Sequence, residues 1–183
     1  MKQNRENPFF ETYRTPFGTP PFDQIETEQY EPAFDEGIWQ LDEEVRAIAD
    51  NTELPTFENT IIALERSGKL LDKVISAFFN VLNAEADDEM MDISQRVSPK
   101  LSESSNNIYL NEQLFARVKS VYDRKDELHL PMEDARLLEK TFEAFCARGA
   151  ALGPEEKEKY RKLSSELSLL SLTFDQNALK DKN

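Results

Sequence analysis

The chain has 183 residues, enough for one substantial core, and its five glycines and abundant helix-forming residues favour an all-α fold. Asp and Glu outnumber Lys and Arg by 36 to 22, which gives a formal net charge of −14. Because this charge repels phosphate backbones and anionic lipid headgroups, nucleic acid and membrane surfaces are disfavoured as partners.

The sequence leads us to expect no signal peptide and no membrane-spanning segment. The N-terminus MKQNRENPFFETYR lacks the continuous apolar stretch of a signal peptide, and no later run approaches the ~20 apolar residues of a membrane span. The single cysteine, Cys146, permits no internal disulfide and is compatible with a reducing compartment. We therefore expect a cytoplasmic protein.

Residues 1–25 are rich in proline and phenylalanine. Proline fixes φ and biases the preceding residue towards extended backbone, so this segment is predicted to form an extended arm. Its aromatic side chains favour burial, and the arm is therefore expected to lie along a helical domain formed by residues 26–183. The phenylalanines of the arm are Phe9, Phe10, Phe17 and Phe22.

The first predicted helix runs from Tyr30 to Ile48 and ends before Asn51 and Pro55. Its apolar residues are spaced three and four positions apart, which is the pattern of one helix face. The second is predicted to start after Thr56 as N-cap and to continue to residue 82 with the same spacing. Gly68, on its apolar face, allows either close helix packing or a local kink.

The third predicted helix is capped by Asp87 and continues to Ile108, with a kink expected at Pro99. The fourth starts at Asn111 and is predicted to end at Pro131. These helices and their neighbours are joined by connections of a few residues, which is typical of antiparallel helices in a bundle.

The fifth predicted helix spans Met132–Arg148 and is terminated by Gly149. The sixth starts at Pro154 and continues almost to Asn183, without a glycine cap or a closing apolar element. We therefore expect a bundle of about six long amphipathic helices that was cut from a longer protein. The predicted inward residues of the last two helices are Leu138, Phe142, Phe145, Tyr160, Leu163, Leu167, Leu170 and Phe174.

The residues most able to do chemistry are isolated in the sequence. His129 is the one histidine, without a second ligand nearby, and is interpreted as an exposed or capping loop residue. Cys146 lies among apolar residues on a helix, which predicts a buried, inert thiol.

An acidic run could resemble a calcium site, but it lacks the alternating ligands and central glycine of a calcium loop. It is interpreted as a solvated turn and helix start. We therefore predict no catalytic, cofactor-binding or metal-binding residue in this chain. The acidic residues are Glu85, Asp87, Asp88 and Glu89.

Four separated blocks resemble the N-terminal region of bacterial peptidyl-dipeptidases, also called dipeptidyl carboxypeptidases, in the thimet-oligopeptidase family. Their order and spacing also match, and the likeness covers nearly the whole chain. The blocks are PFDQI (Pro21–Ile25), YEPAFDEG (Tyr30–Gly37), FENTIIALERSGKLLDKV (Phe57–Val74) and NNIYLNEQLFARV (Asn106–Val118).

The resemblance implies a mostly α-helical, two-lobed enzyme with a deep channel, in which a His-Glu-x-x-His motif and a further glutamate bind zinc. That site lies in the C-terminal half of the family, and the enzyme releases dipeptides from the C-termini of short peptides. This chain would wall the channel, and its partners would be the missing catalytic domain and peptide substrates. No zinc ligand or general base can be assigned to it, so it is predicted to be inactive alone.

Several residues admit two interpretations. Glu58 and Asn59 are either a helix cap and first turn or substrate contacts, and the cap is favoured. Tyr30 and Trp39 are either core residues or channel-facing aromatics, and the core is favoured.

Two other hypotheses for the whole chain stay open. It could be a stand-alone helical interaction module, or an enzyme in its own right, although the missing site groups disfavour the latter. If a partner lobe normally covers one side, apolar residues near the C-terminal helix should be exposed, and the chain would dimerise through them.

Overall fold

The computed structural model describes residues 7–85 and 87–180, and these ranges contain helices and turns but no β-strand. Six of its α-helices have 11 or more residues, which confirms the predicted all-α fold. Residues 1–6 of the predicted arm and residues 181–183 of the predicted last helix lie outside the described residues. The α-helices are α1 (Tyr30–Ala49), α2 (Ala63–Arg66), α3 (Lys69–Glu85), α4 (Asp88–Tyr109), α5 (Glu112–Tyr122), α6 (Met132–Ala147) and α7 (Pro154–Lys180).

The chain divides into two compact units that are not continuous in sequence. The first unit contains Met1–Leu41, Gly68–Lys100 and Leu169–Asn183. The second contains Asp42–Ser67 and Leu101–Ser168.

An aromatic cluster forms the core of the first unit. The ring centroids of Phe9 and Tyr30 are 5.3 Å apart, and those of Tyr30 and Phe78 are 5.1 Å apart. Phe34 meets Phe78 edge to face at 5.3 Å. All four side chains are buried, so the arm, α1 and α3 share one apolar core.

The arm is anchored on α3 around Phe9, while three of its four phenylalanines are exposed. Phe9 lies in the 3₁₀ turn Pro8–Phe10, and Lys73 of α3 donates from Nζ to the carbonyl oxygens of Phe9 and Glu11 at 2.8 and 2.7 Å. Among the four phenylalanines of the arm, the expected burial therefore holds for Phe9, whose turn docks on α3. The exposed phenylalanines of the arm are Phe10, Phe17 and Phe22.

The predicted second helix starts as expected but is divided. Thr56 is the N-cap: its Oγ1 accepts from the amide of Asn59 at 3.1 Å, and Asn59 Oδ1 accepts from the amide of Thr56 at 2.8 Å. A π-helical turn (Phe57–Ile62) and α2 follow, and the helix breaks at Ser67 and Gly68 before α3 begins. Gly68 has φ +77°, a left-handed conformation that glycine adopts without steric cost, so it separates two helices rather than bending one.

Other helix boundaries are close to those predicted, with one correction. Asp87 Oδ1 accepts from the amide of Met90, which confirms the cap of α4, and Gly149 follows α6 with φ +87°. The fourth predicted helix, α5, ends at Tyr122 rather than at Pro131. The next five residues are all polar or charged and offer no apolar side chain to continue the buried face.

The core of the second unit lies between α5 and α6. Leu114, Val118 and Val121 of α5 are fully buried. Tyr122 at the end of α5 stacks on Phe142 of α6, with ring centroids 3.9 Å apart. The short helix α5 is therefore held by packing on its whole apolar face.

Candidate functional site

Residues 51–60 follow α1 and include the start of the π-helical turn; this segment, here called the 51–60 loop, is fixed by a buried arginine of α5. Arg117 is only 7% exposed. Its Nη1 donates to the carbonyl oxygens of Asn51 and Glu53 at 2.5 and 3.0 Å. Its Nη2 donates to Asn59 Oδ1 at 3.0 Å and to Thr60 Oγ1 at 3.4 Å. These four acceptors are uncharged, so dipoles rather than a carboxylate hold the guanidinium charge.

A second arginine fixes the same loop. Arg124, just after α5, donates from Nη2 to the carbonyl oxygen of Pro55 at 2.5 Å. The side-chain amide of Asn59 donates to the carbonyl oxygen of Leu54 at 3.0 Å. The backbone of the 51–60 loop is therefore held at several points, while the Leu54 side chain is exposed.

The polar residues at the start of the π-helical turn have structural partners. Glu58 is exposed and forms an ion pair with Arg66, with Oε1 and Nη1 3.0 Å apart. Asn59 completes the capping box with Thr56 and accepts from Arg117. The geometry supports the cap interpretation of these residues, because Asn59 completes the capping box and Glu58 lies in the first turn.

His129 and Cys146 do not form a site. His129 lies in an exposed loop with φ +48°, and its Nδ1 is 2.7 Å from the carbonyl oxygen of Glu127, which agrees with the loop interpretation. Cys146 is exposed, so its predicted burial is wrong. Leu138 and Phe145 of α6 face the core, and Cys146 is one residue, or about 100°, further around the helix.

The acidic run is a helix start. Asp87 caps α4, and Asp88 and Glu89 are exposed in its first turn; the side chain of Glu85 lies outside the described residues. Within residues 7–85 and 87–180, no group of three or more His, Cys, Asp and Glu side chains could hold a metal ion.

The two aromatic residues considered for a channel surface differ in burial. Tyr30 is buried in the aromatic cluster of the first unit, as predicted. Trp39 is 59% exposed, so its assignment to the core is wrong. It lies one residue beyond Ile38, the apolar position of α1, and therefore about 100° away from that face.

The apolar positions of α7 lack cover. Four of them, 64% to 72% exposed, follow the spacing four, three and four, and we call them the α7 apolar row. The prediction that these four residues face inward is therefore wrong, whereas the expectation of exposed apolar residues near the C-terminal helix is confirmed. None of the helices in the described part of the chain is long and apolar enough to cross a bilayer. The row consists of Leu163, Leu167, Leu170 and Phe174.

Comparison with known proteins finds relatives that cover nearly the whole chain. The chain is 43% identical to dipeptidyl carboxypeptidase of Escherichia coli (strain K12) over 173 residues, which is 94% of this chain and 25% of that protein. The chain is homologous to the dipeptidyl carboxypeptidases. The resemblance read from the four sequence blocks is thereby confirmed.

More distant relatives agree with this assignment. The chain is 39% identical to the dipeptidyl carboxypeptidase of Salmonella typhimurium over 94% of its length, and 23% identical to oligopeptidase A of Escherichia coli over 90%. It spans about a quarter of the length of the curated relatives it matches. No protein-family model matches the chain.

The hydrogen bonds of Arg117 to the 51–60 loop connect two of the blocks that resemble the dipeptidyl carboxypeptidases. Asn59 and Thr60 lie in the block Phe57–Val74, and Arg117 lies in the block Asn106–Val118. Sequence reasoning missed Arg117, although its spacing from the buried Leu114 places it on the apolar face of α5. A charged residue on such a face is the signal for a buried hydrogen-bonded group.

Proposed function

We propose that this chain forms the N-terminal, channel-walling part of a zinc-dependent peptidyl-dipeptidase, which removes dipeptides from the C-termini of short peptides in the cytoplasm. The observation that carries the proposal is the 43% identity over 94% of the chain to a protein of which it spans only a quarter. The zinc-binding motif then belongs to the part of the parent enzyme, meaning the complete peptidase, outside this quarter.

We propose further that the isolated chain is inactive. Zinc hydrolysis needs several convergent ligands and a general base. The sequence holds one histidine, so it cannot form a His-Glu-x-x-His motif, and that histidine lies in an exposed loop. The role left to the chain is structural.

A wall that keeps folded proteins out of a channel needs a rigid surface, and two features of the chain support such a role. In the first unit, Glu31 of α1 pairs with Arg96 of α4 at 2.9 Å, and Asp35 pairs with Lys100 at 2.6 Å. In the second unit, Arg117 holds the 51–60 loop with four hydrogen bonds. These contacts limit the movement of helices and loop without providing a reactive pair.

A chimera tests the proposal. This chain replaces the matched quarter of the Escherichia coli relative, and dipeptide release from a short peptide is measured with and without a chelator. We expect the chimera to release dipeptides, the chelator to abolish release, and the isolated chain to release none even with added zinc. Activity of the isolated chain, or a folded chimera without activity, contradicts the proposal.

The α7 apolar row favours a second candidate, a stand-alone module that associates through this row. Four exposed apolar side chains at helical spacing form the kind of surface that another protein covers. In the parent enzyme the remaining polypeptide would cover the row; in isolation, a second copy would cover it and give a dimer.

Sedimentation of the isolated chain separates these cases. We expect a concentration-dependent dimer that is weakened at least ~10-fold by combining Leu163→Gln with Leu167→Gln, since each change removes exposed apolar surface from the interface. Met132→Gln is the matched control, because Met132 is exposed outside the row. A strict monomer at high concentration contradicts dimerisation through the row.

A further inference from the structure

The arm contains a tight turn whose backbone is held by its own hydrogen bonds. Phe17 has φ +61° and ψ +12°, and Gly18 has φ +66°, so two consecutive residues are left-handed. The amide of Gly18 donates to the carbonyl oxygen of Thr15 at 3.0 Å, and Thr19 Oγ1 donates to that of Pro16 at 3.2 Å. Thr15 Oγ1 donates to the carbonyl oxygen of Thr19. The position of residue 17 is therefore defined without help from the helices.

Phenylalanine is an unfavourable residue at this position. A left-handed conformation is tolerated by glycine and asparagine but is an outlier for a bulky side chain. The ring of Phe17 is also fully exposed, so burial within the chain does not offset the strain. Strained residues concentrate at functional positions, and exposed aromatic rings are typical anchors of protein interfaces.

The arm that carries this turn is fixed on the first unit. Lys73 binds the carbonyl oxygens of Phe9 and Glu11, and its Nζ lies 3.7 Å from the ring centroid of Tyr13. The hydroxyl of Tyr13 is buried and has no hydrogen-bond partner among the described residues. Tyr13 lines a cleft of about 460 Å³ in the arm. An arriving chain that offers a carbonyl oxygen there would satisfy this hydroxyl.

The relatives indicate which polypeptide would contact the Thr15–Thr19 turn. The match to dipeptidyl carboxypeptidase covers 94% of this chain, so it includes the Thr15–Thr19 turn whichever end the unmatched residues occupy. The relatives are about four times as long as the chain. The rest of such a polypeptide is covalently attached to the matched quarter, so it is present at high effective concentration as a partner.

We propose that the Thr15–Thr19 turn is a docking element that places the Phe17 ring in an apolar pocket of the rest of the parent enzyme. The proposal rests on the proposed function and adds the contact that joins this chain to the catalytic part. The left-handed backbone directs the ring outward, and the fixed arm reduces the entropy lost on docking.

Phe17→Asn tests the proposal in two proteins, the isolated chain and the chimera. Asparagine keeps the left-handed turn and removes the ring. In the isolated chain we expect the melting temperature to stay the same or to rise by ~1–3 °C, because strain is relieved and no contact is lost. In the chimera we expect it to fall by ~2 °C or more, because the docked ring is lost. Phe17→Gly should likewise leave or raise the melting temperature of the isolated chain and lower that of the chimera.

The control is Met132→Asn, an exposed apolar side chain outside the arm, which should change both proteins equally. A lower melting temperature of the isolated F17N chain would show that the ring packs within the chain and would overturn the proposal. Conversion of an isolated dimer to monomer by F17N would assign the ring to a second copy and also overturn it. An active chimera that F17N leaves unchanged overturns docking alone, whereas an inactive wild-type chimera contradicts the proposed function itself.

Discussion

Helices α5 and α7 have apolar residues at the same three-and-four spacing but differ in what covers them. In α5, only 11 residues long, Leu114, Val118 and Val121 are fully buried. In α7, 27 residues long, Leu163 and Leu167 remain mostly exposed. Periodicity therefore predicts that a helix forms and which face is apolar, but not whether a partner for that face is in the same chain.

The largest expected difference comes from matched truncations on the two faces. Leu114→Ala should lower the free energy of unfolding by about 3 kcal/mol, because it leaves a cavity in a packed core. Leu163→Ala should change it by less than about 0.5 kcal/mol, because the side chain is already in water. Urea denaturation of both variants measures the difference, and equal losses would show that α7 is covered within the chain.

The charged residue on the buried face of α5 sharpens the comparison. Arg117→Met keeps the apolar stem but removes the donors that bind the 51–60 loop, leaving the carbonyl oxygens of Asn51 and Glu53 without them. We expect a loss of about 2–3 kcal/mol in urea denaturation. The control is Arg136→Met, since Arg136 is exposed and pairs with the exposed Glu139, and it should cost under about 0.5 kcal/mol. Similar losses of stability in both variants would contradict a stabilising role for the buried guanidinium of Arg117.

A smaller effect is expected where two helices of the first unit approach closely. A Cβ added at Gly37 of α1 would lie 3.0 Å from the Cα of Leu71 in α3. Gly37→Ala should therefore destabilise the chain by about 1–2 kcal/mol, because backbone must shift to make room. Gly153→Ala is the control, since its nearest atom is a side-chain oxygen of Glu156 at 3.6 Å. Thermal unfolding that leaves both unchanged would argue against a tight contact.

The smallest expected effect on stability concerns Tyr13, which is half-buried. Burial, with a further contribution from Tyr30, raises the pKa of the Tyr13 phenol from 10.0 to about 12. The folded chain therefore holds this proton more tightly than the unfolded chain, so the stability it contributes is present below pH 10 and is lost between pH 10 and 12.

Two measurements check this shift. Absorbance titration of phenolate should show a late-titrating group near pH 12 in the wild type that is missing in Tyr13→Phe. Urea denaturation should show that Tyr13→Phe loses less stability between pH 10 and 12 than the wild type. A variant with the same titration curve as the wild type would assign the late group to another tyrosine.

Much of the fold could be predicted because local signals determine helix starts. Thr56, Asp87 and Asn111 each accept a hydrogen bond from the amide three residues ahead, and each is recognisable as a short polar side chain before an apolar periodic run. Gly149 marks the end of α6 for an equally local reason, its left-handed φ.

The features that could not be predicted depend on residues distant in sequence. Periodicity continues across Gly68, so the break between α2 and α3 is visible only in the backbone. Cys146 and Trp39 each follow a buried or half-buried apolar position by one residue, and their apolar neighbours concealed their exposure. The partners of Arg117 are 57 to 66 residues away in sequence, so no local pattern could identify them.

Lys73 also sets an order of events during synthesis. Phe9 is made 64 residues before the lysine that binds its carbonyl oxygen. At translation rates of about 5–20 residues per second, on the order of 3–13 s pass between the synthesis of Phe9 and that of Lys73, and only then can this hydrogen bond form. The arm therefore stays unanchored at this point until Lys73 has been made, and a nascent chain stalled before Lys73 carries an arm open to proteases.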